Sequence, residues 1–462
     1  MKKNFFFSKK INVKILFLAI FAFIIAFYLV VNFTVGKTYF NSIKNIFDND
    51  QKNFIKKIFF PHKKIKELSN LTRPLHRMEI AYKDSLENIE LIYHGEQELN
   101  KKIKLNKFGL SKGFYAGNNR KLPGSGYIDF HSNNFIIVSS RGVLAYSKNF
   151  EGELFLKQIK NNIDKYINIK HFEKDRLFSI EDLTIIEDNI FISFTEEIEK
   201  DCWNTSVIYS KMNYENIEFS KLFSSDQCVH AFKNIDNEFA SSQTGGRIVK
   251  FDNNHIFLST GEYRLRHLAQ NKDSVNGKIL KININNSDYE IISMGHRNPQ
   301  GLYYDKENNF ILETEHGPKG GDEINLIELN QPEIPNYGWA IASAGEHYSK
   351  TDNNGNEGKI KKYPLYKSHK KHGFIEPLKS FVPSIAISEI TKMDNGNYVV
   401  SSLKDKSLYF FKIDKNNSIT DLNRVEVFER IRDIRYKENK LYMFLEDTAS
   451  IGVIDVLPLQ KK

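Results

Sequence analysis

The chain has 462 residues, a formal net charge of +9 and 13% aromatic residues. That length accommodates one large domain or two ordinary ones with a sizeable core. The Ile- and Phe-rich composition excludes a disordered chain and favours strands. Much of the positive excess lies near the amino terminus, at Lys2, Lys3, Lys9, Lys10 and Lys14, then Lys52, Lys56, Lys57, Lys63 and Lys64. With no nucleic-acid module in the chain, no nucleic-acid partner is expected, and the charge reads as membrane-surface charge.

Residues 15–35 form a nearly unbroken apolar run, interrupted only by Asn32 and Thr34. At about 1.5 Å per residue, such a helix matches a hydrocarbon core about 30 Å thick. The basic tail of residues 1–14 carries lysines and no acids, which predicts a cytoplasmic amino terminus and an extracytoplasmic remainder, periplasmic in a Gram-negative cell. No Ala-x-Ala-like site follows the run, so a retained transmembrane signal anchor is the reading and a cleaved signal peptide the alternative. Residues 36–106 are Lys- and Asn-rich with scattered apolar side chains. Ser42–Phe60 has helical spacing that Pro61 would end, so this region reads as a partly helical stalk or linker.

From residue 107 to 462 the sequence repeats one pattern. HSNNFIIVSS at His131, EDNIFISFTEE at Glu187, DNNHIFLSTGE at Asp252, KENNFILETEH at Lys306, DNGNYVVSSLK at Asp394 and KENKLYMFLED at Lys437 share it. Each is an Asn/Asp/Gly-type turn followed by a short aromatic and β-branched strand. The widest interval holds a polar, Gly- and Lys-rich insertion at residues 348–371. Six such units predict an all-β fold, a six-bladed β-propeller; a sandwich would need fewer, more closely spaced strands. Loops at one end of a propeller's inner strands surround a channel mouth, where distant parts of the chain converge. Cys202 and Cys228 are the only cysteines, both in the part predicted to be exported, so a disulfide is expected. Two separate buried thiols are the alternative.

The stretch 295–325, GHRNPQGLYYDKENNFILETEHGPKGGDEIN, carries the densest chemistry. Arg297 and Asn298 set a rigid fork of donors beside an amide. The loop from His316 puts small residues where a backbone could approach a ligand, although such glycines more often serve a turn. GHRNPQGL, then EHGPKGGDEINLI, then NYGW at residues 336–339 resemble the soluble quinoprotein sugar dehydrogenases, the glucose/sorbosone and aldose dehydrogenase family that uses pyrroloquinoline quinone (PQQ). The resemblance extends with gaps over residues 180–456, and independently implies six blades.

The resemblance implies roles for particular residues. Arg297 and Asn298 fall on the family's cofactor-contacting pair, Lys404 on its cofactor lysine, and Arg430 and Arg432 on its paired arginines. Carbonyls of Gly317 and Pro318 would hold the cofactor's Ca²⁺, and Glu323 and Tyr337 match residues that hold a second calcium in some members. In isolation Lys404, Arg430, Arg432 and Glu323 would read as surface charge. The sequence departs from the family at the catalytic base. Gln243, in SSQTGGRI, occupies the place of the family's histidine, and an amide cannot accept a hydroxyl proton near neutrality. His316 is a possible substitute. The segment Ser179–Leu183 lacks the expected glutamine and glycines, and Val382 stands where some members have a stacking Trp. His369 and His372 lie in the charged insertion and read as a solvated loop, or else as a docking patch for an acidic partner.

Two readings follow. In one, the chain is a membrane-anchored quinoprotein-like oxidoreductase that acts on a sugar or another alcohol, with weak or altered activity and an electron acceptor of unspecified kind. In the other, it is a non-catalytic extracytoplasmic propeller that binds a sugar, an anion or a protein partner.

Overall fold

The computed structural model describes residues 88–110, 114, 124–152, 155–167, 171, 179–349 and 358–457. The anchor at 15–35 and the stalk through residue 87 lie outside the described residues. Among these, no helix is long and apolar enough to cross a membrane.

The described chain is all-β and forms five almost wholly antiparallel sheets that divide into six blades. Blade 1 comprises Gly126–His131, Asn134–Ser139, Leu144–Ser147 and Phe155–Asn161, and blade 2 comprises Ile180–Ile186, Asn189–Glu199, Cys202–Lys211 and Ser220–Ser224. Blade 3 runs Gly245–Lys250, His255–Thr260, Lys278–Asn283, Tyr289–Met294; blade 4 runs Pro299–Asp305, Phe310–Glu315, Asp322–Glu328, Lys379–Phe381. Blade 5 holds Ile387–Lys392, Tyr398–Ser402, Ser407–Ile413 and Ile419–Glu426. Blade 6 has three strands of its own, Ile431–Lys437, Lys440–Leu445 and Ser450–Asp455. The first strands pack side by side in a ring, and Ile431–Lys437 returns to Gly126–His131. This is a six-bladed propeller, and each repeated segment read from the sequence supplies the second strand of one blade.

The fourth strand of blade 6 comes from the other end of the chain. Ile103–Leu110 pairs antiparallel with Ser450–Asp455, with Leu105 opposite Ile454. Asn88–Asn100 then pairs with Ile103–Leu110 and, through Ile89 opposite Leu156, with the outer edge of blade 1. The propeller therefore begins before residue 107: residues 88–106, assigned to the stalk on sequence, are strand and turn. They were illegible because, of its described side chains, the outer strand buries only Ile89 and Leu91 and is mostly exposed beyond them, so it reads like a polar linker.

The core lies between blades. Ile256, Leu258 and Leu280 pack toward Phe191, Val207 and Leu222 of blade 2. Phe257 and Ile279 point the other way, against Leu302, Ile311 and Ile327 of blade 4. Successive residues of a strand point to opposite faces, and both faces are covered here, so second strands read as continuous apolar runs. The predicted disulfide between Cys202 and Cys228 is present, with Cα atoms 5.3 Å apart.

Candidate functional site

Blade 3 begins with a backbone that only glycine permits. Gly246 has φ +111°, and a Cβ there would come within 2.4 Å of the Glu181 side chain; one at Gly261 would meet the Gln243 carbonyl at 2.1 Å. The segment before the strand can thus fold tightly onto the turn that follows Thr260. The carbonyl of Gln243 accepts the Tyr263 N–H (3.0 Å), and that of Thr244 accepts the Gly261 N–H (2.7 Å). This brings Gln243 against Glu262. With its amide oriented to satisfy both ends, Gln243 donates to Glu262 Oε1 (2.6 Å) and accepts from Arg297 Nη2 (2.9 Å). Both side chains line a pocket with Arg264, Arg266, Arg297 and Trp339. Burial pushes the Glu262 carboxyl up to about 7, against the pull of Arg297 and Arg266.

Arg297 is the hub. Its Nη1 donates to the carbonyls of His316 (2.6 Å) and Gly317 (3.0 Å), and the guanidinium lies over the Trp339 ring at 5.3 Å. Beside it, Asn298 Oδ1 accepts from the Gly245 N–H (3.3 Å) and from Gln300 Nε2 (3.2 Å). Gln300 in turn accepts from Arg432 Nη1 (3.2 Å). A hydrogen-bonded chain therefore runs from blade 3 through blade 4 to blade 6. Arg430 and Arg432 share one carboxylate: their Nε atoms donate to Glu446 at 3.2 and 2.7 Å. Burial opposes ionisation of Glu446, but Arg432 and Arg430 outweigh it and hold its carboxyl below the usual range. Arg430 also donates to the Leu403 carbonyl (3.3 Å), next to Lys404, whose exposed side chain has no ion pair among the described residues.

His316 follows the second strand of blade 4, and burial lowers its pKa. Asp322 opposes this shift, while the charges of Arg432 and Arg297 reinforce it. Its Nε2 is buried without a hydrogen-bond partner. The small residues after it serve the turn: a Cβ at Gly317 would overlap the Gly321 carbonyl oxygen, and one at Gly321 would meet the Gly345 backbone. The Gly317 carbonyl accepts from Arg297 and the Pro318 carbonyl from the Gly321 N–H (3.1 Å), which leaves each oxygen one lone pair.

Glu323 lies in a second, fully buried group. It pairs in register with Glu315, and Glu313 pairs with Asn325, so all four side chains share one face. His296 Nδ1 lies 3.7 Å from Glu313 and 3.8 Å from Glu315, and the three side chains can hold a metal ion among them. Burial, then the charge of Glu315, raises the Glu313 and Glu323 carboxyls well above their ordinary values. Tyr337 joins this group by stacking on His296 (5.0 Å), while its hydroxyl donates to the Leu326 carbonyl. His369 belongs here too. It is buried, 3.7 Å from Glu323 and 3.4 Å from Glu376, which corrects its reading as a solvated residue. The insertion folds back onto the blade, and spacing alone does not show that. His372 stays at the surface region, stacked on Tyr366 at 3.6 Å, and Val382 is exposed.

Sequence reasoning missed Glu262, Gln300, Glu446 and the pair Glu313 and Glu315. For the last two a signal exists: acids two apart inside the apolar run FILETE share one face, opposite Glu323 and Asn325. Glu262 closes one of the six repeated segments, but only the glycine turn shows that it meets Gln243.

The comparisons with known proteins agree with this architecture. The chain is 27% identical over 249 residues to the aldose sugar dehydrogenase YliI of Escherichia coli, covering 49% of this chain and 63% of that protein. It is 32% identical over 191 residues to the uncharacterized protein slr1608 of Synechocystis, covering 37% of this chain and 43% of that one. The matches thus span less than two thirds of either relative. The solved PQQ-bound form of an aldose sugar dehydrogenase from Streptomyces coelicolor superposes with a TM-score of 0.53 at 16% identity, over 72% of this chain and 93% of that one, which shows a shared fold. The family described as Glucose / Sorbosone dehydrogenase matches residues 186–454, which take in five of the blades' repeated strands and every residue of the site, and the chain belongs to that family.

Proposed function

We propose that this chain is a PQQ-binding oxidoreductase of sugars or other alcohols in which Gln243 stands where the family has its proton-accepting histidine. One observation carries the reading: Arg297, Arg430, Arg432 and His316 gather at one end of the propeller, next to Lys404, and His316 Nε2 and the Lys404 ammonium are among the polar groups left open there. A planar polyanion fits that donor set. Arg430, Arg432 and Lys404 would hold its carboxylates, and Arg297 and Asn298 would orient it. The remaining lone pairs of Gly317 and Pro318 suit a hard cation such as Ca²⁺. When bound, a quinone of this kind supplies a hydride acceptor; the chain's own residues bind it, orient the substrate hydroxyl and take its proton.

A second divalent cation at Glu323, beside Glu313, Glu315 and His296, agrees with a buried acidic group whose members have no Lys or Arg ion pair among the described residues. Residues 15–35 would anchor the chain with the propeller outside the cytoplasm, a reading supported by the lysine asymmetry and by the disulfide. A cytoplasm-only reporter fused after Lys462 should then be inactive; an active one overturns the topology.

The deciding experiment adds PQQ and Ca²⁺ to the purified protein and records the spectrum of bound quinone. Binding is expected, weakened about tenfold or more in Arg430→Ala, the scale of one charge-assisted hydrogen bond. One observation favours the binding-module reading: Glu446 already pairs with Arg430 and Arg432. No quinone binding would leave that reading standing.

A further inference from the structure

We infer that Glu262 accepts the substrate's hydroxyl proton, with Gln243 as the positioning residue that holds it. This rests on the oxidoreductase reading above. Three features of the geometry support it. Glu262 is fully buried yet lines the pocket beside Arg297. Its Oε1 is fixed by the Gln243 amide at 2.6 Å, while its Oε2 has no hydrogen-bond partner. Its backbone is tied to the hub residue, since the Glu262 N–H donates to the Arg297 carbonyl (3.1 Å).

An ionised carboxylate oxygen left bare inside a protein is costly, and it becomes less so when a ligand donor reaches it. Oε2 is such an atom. Gln243 cannot take a proton, but its amide NH₂ holds one oxygen of Glu262 and leaves the other free. In that role the glutamine aims a base rather than acting as one. His316, the substitute expected from sequence, is not among the residues that line the pocket shared by Gln243 and Glu262. It is therefore the worse-placed group.

The charges around Glu262 set its working range. Arg264 and Arg266 lie on its own turn, and Arg297 faces it from the start of blade 4. Glu238 neutralises part of this field through Arg266 (3.1 Å), and Tyr363, held by Asp236, approaches from the insertion. Burial outweighs the arginines, and the carboxyl titrates at about 7, where a general base works best near neutral pH.

The step balances as follows. The substrate O–H bond breaks and its proton goes to Glu262 Oε2. The carbinol C–H bond breaks and its hydride, with both electrons, goes to the quinone of the proposed reaction. The alcohol is oxidised to a carbonyl compound (a lactone from a cyclic aldose) as the quinone is reduced by the same two electrons.

The test compares wild type, Glu262→Gln and His316→Gln. First, infrared difference spectra across pH 5–9 of the protein without quinone should show a protonated-carboxyl band that titrates near pH 7 and is missing from Glu262→Gln alone. Second, PQQ and Ca²⁺ should bind wild type and Glu262→Gln alike. Third, reduction of bound quinone by a sugar panel should fall about 10²–10⁴-fold in Glu262→Gln, with loss of the rise in rate through pH 7. Bound quinone reduced equally fast by Glu262→Gln, or slowed only in His316→Gln, overturns the assignment and leaves the oxidoreductase reading intact. Absence of the Glu262-dependent band overturns it whatever the turnover. Failure of wild type to bind quinone overturns the reading, and this assignment with it.

Discussion

On the proposed reading, the amide at Gln243 changes how the site moves a proton. Gln243→His would set an imidazole between Glu262 and the substrate, and the neighbouring carboxylate favours the imidazolium. The expected gain in turnover of quinone- and calcium-loaded protein is on the order of tenfold, below the 10²–10⁴ that a newly supplied base brings, because Glu262 already serves. A gain near 10³ would mean that the wild type has no working base. The rising limb of the kcat profile should also move away from the Glu262 value of about 7. At this scale the sequence suggested a substitution at Gln243 but not the residue that Gln243 meets. Gln243 was legible as a departure from a motif, whereas its partner depended on Gly246 and Gly261 letting two backbones meet. Arg297, Asn298 and Arg432 were legible by resemblance; Gln300 and Glu446, which join them, carry no motif and became visible only through hydrogen bonds.

Elements were legible in proportion to how many of their faces are covered. Each blade's second strand is buried on both sides and announced itself as an apolar run after a turn. First strands carry the polar channel residues and read as mixed sequence. The first half of the closing strand Ile103–Leu110, up to residue 106, was taken for stalk, and a prediction tests its importance. Leu105 is fully buried against blade 6, whereas Ile92, on the neighbouring strand, is 47% exposed. Leu105→Asp buries a charge at the ring closure and should cost more than about 4 kcal/mol, while Ile92→Asp should stay within about 1 kcal/mol. Urea midpoints read both, and equal shifts would show that the ring does not depend on this strand. The disulfide belongs to the same scale. It spans 26 residues and fastens the segment Val229–His230 beside the start of Cys202–Lys211. Replacing both cysteines, Cys202→Ser with Cys228→Ser, should lower stability relative to wild type by about 2–4 kcal/mol, and an unchanged melting temperature would reject that contribution.

The whole molecule is held at its axis by charge. Arg247, from blade 3, reaches Asp182 of blade 2 (3.0 Å), Glu389 of blade 5 (2.9 Å) and Asp433 of blade 6 (3.1 Å), and its Nε donates to the Gln300 carbonyl of blade 4. Arg435 supplies the second cation, and Asp129 of blade 1 approaches it at 3.7 Å. Four acids thus face two arginines in a largely buried channel. Burial raises Asp129 to about 6 and Glu389 to about 7, and raises Asp182 as well. An acid whose folded pKa exceeds its unfolded value binds more protons folded than unfolded. Its contribution is therefore present below the unfolded value, near pH 4, and is lost as pH rises through 6–7. The melting temperature should accordingly fall between pH 5 and pH 8. Arg247→Met removes the cation that three of these acids share and leaves only Arg435. At pH 8 the loss should be about 3–5 kcal/mol, the cost of stranding buried charge. At pH 5 the same acids can stay protonated, so the loss should shrink. Chemical denaturation of both proteins at the two pH values measures the difference, and equal losses would mean that Arg247 joins the blades by packing rather than by charge.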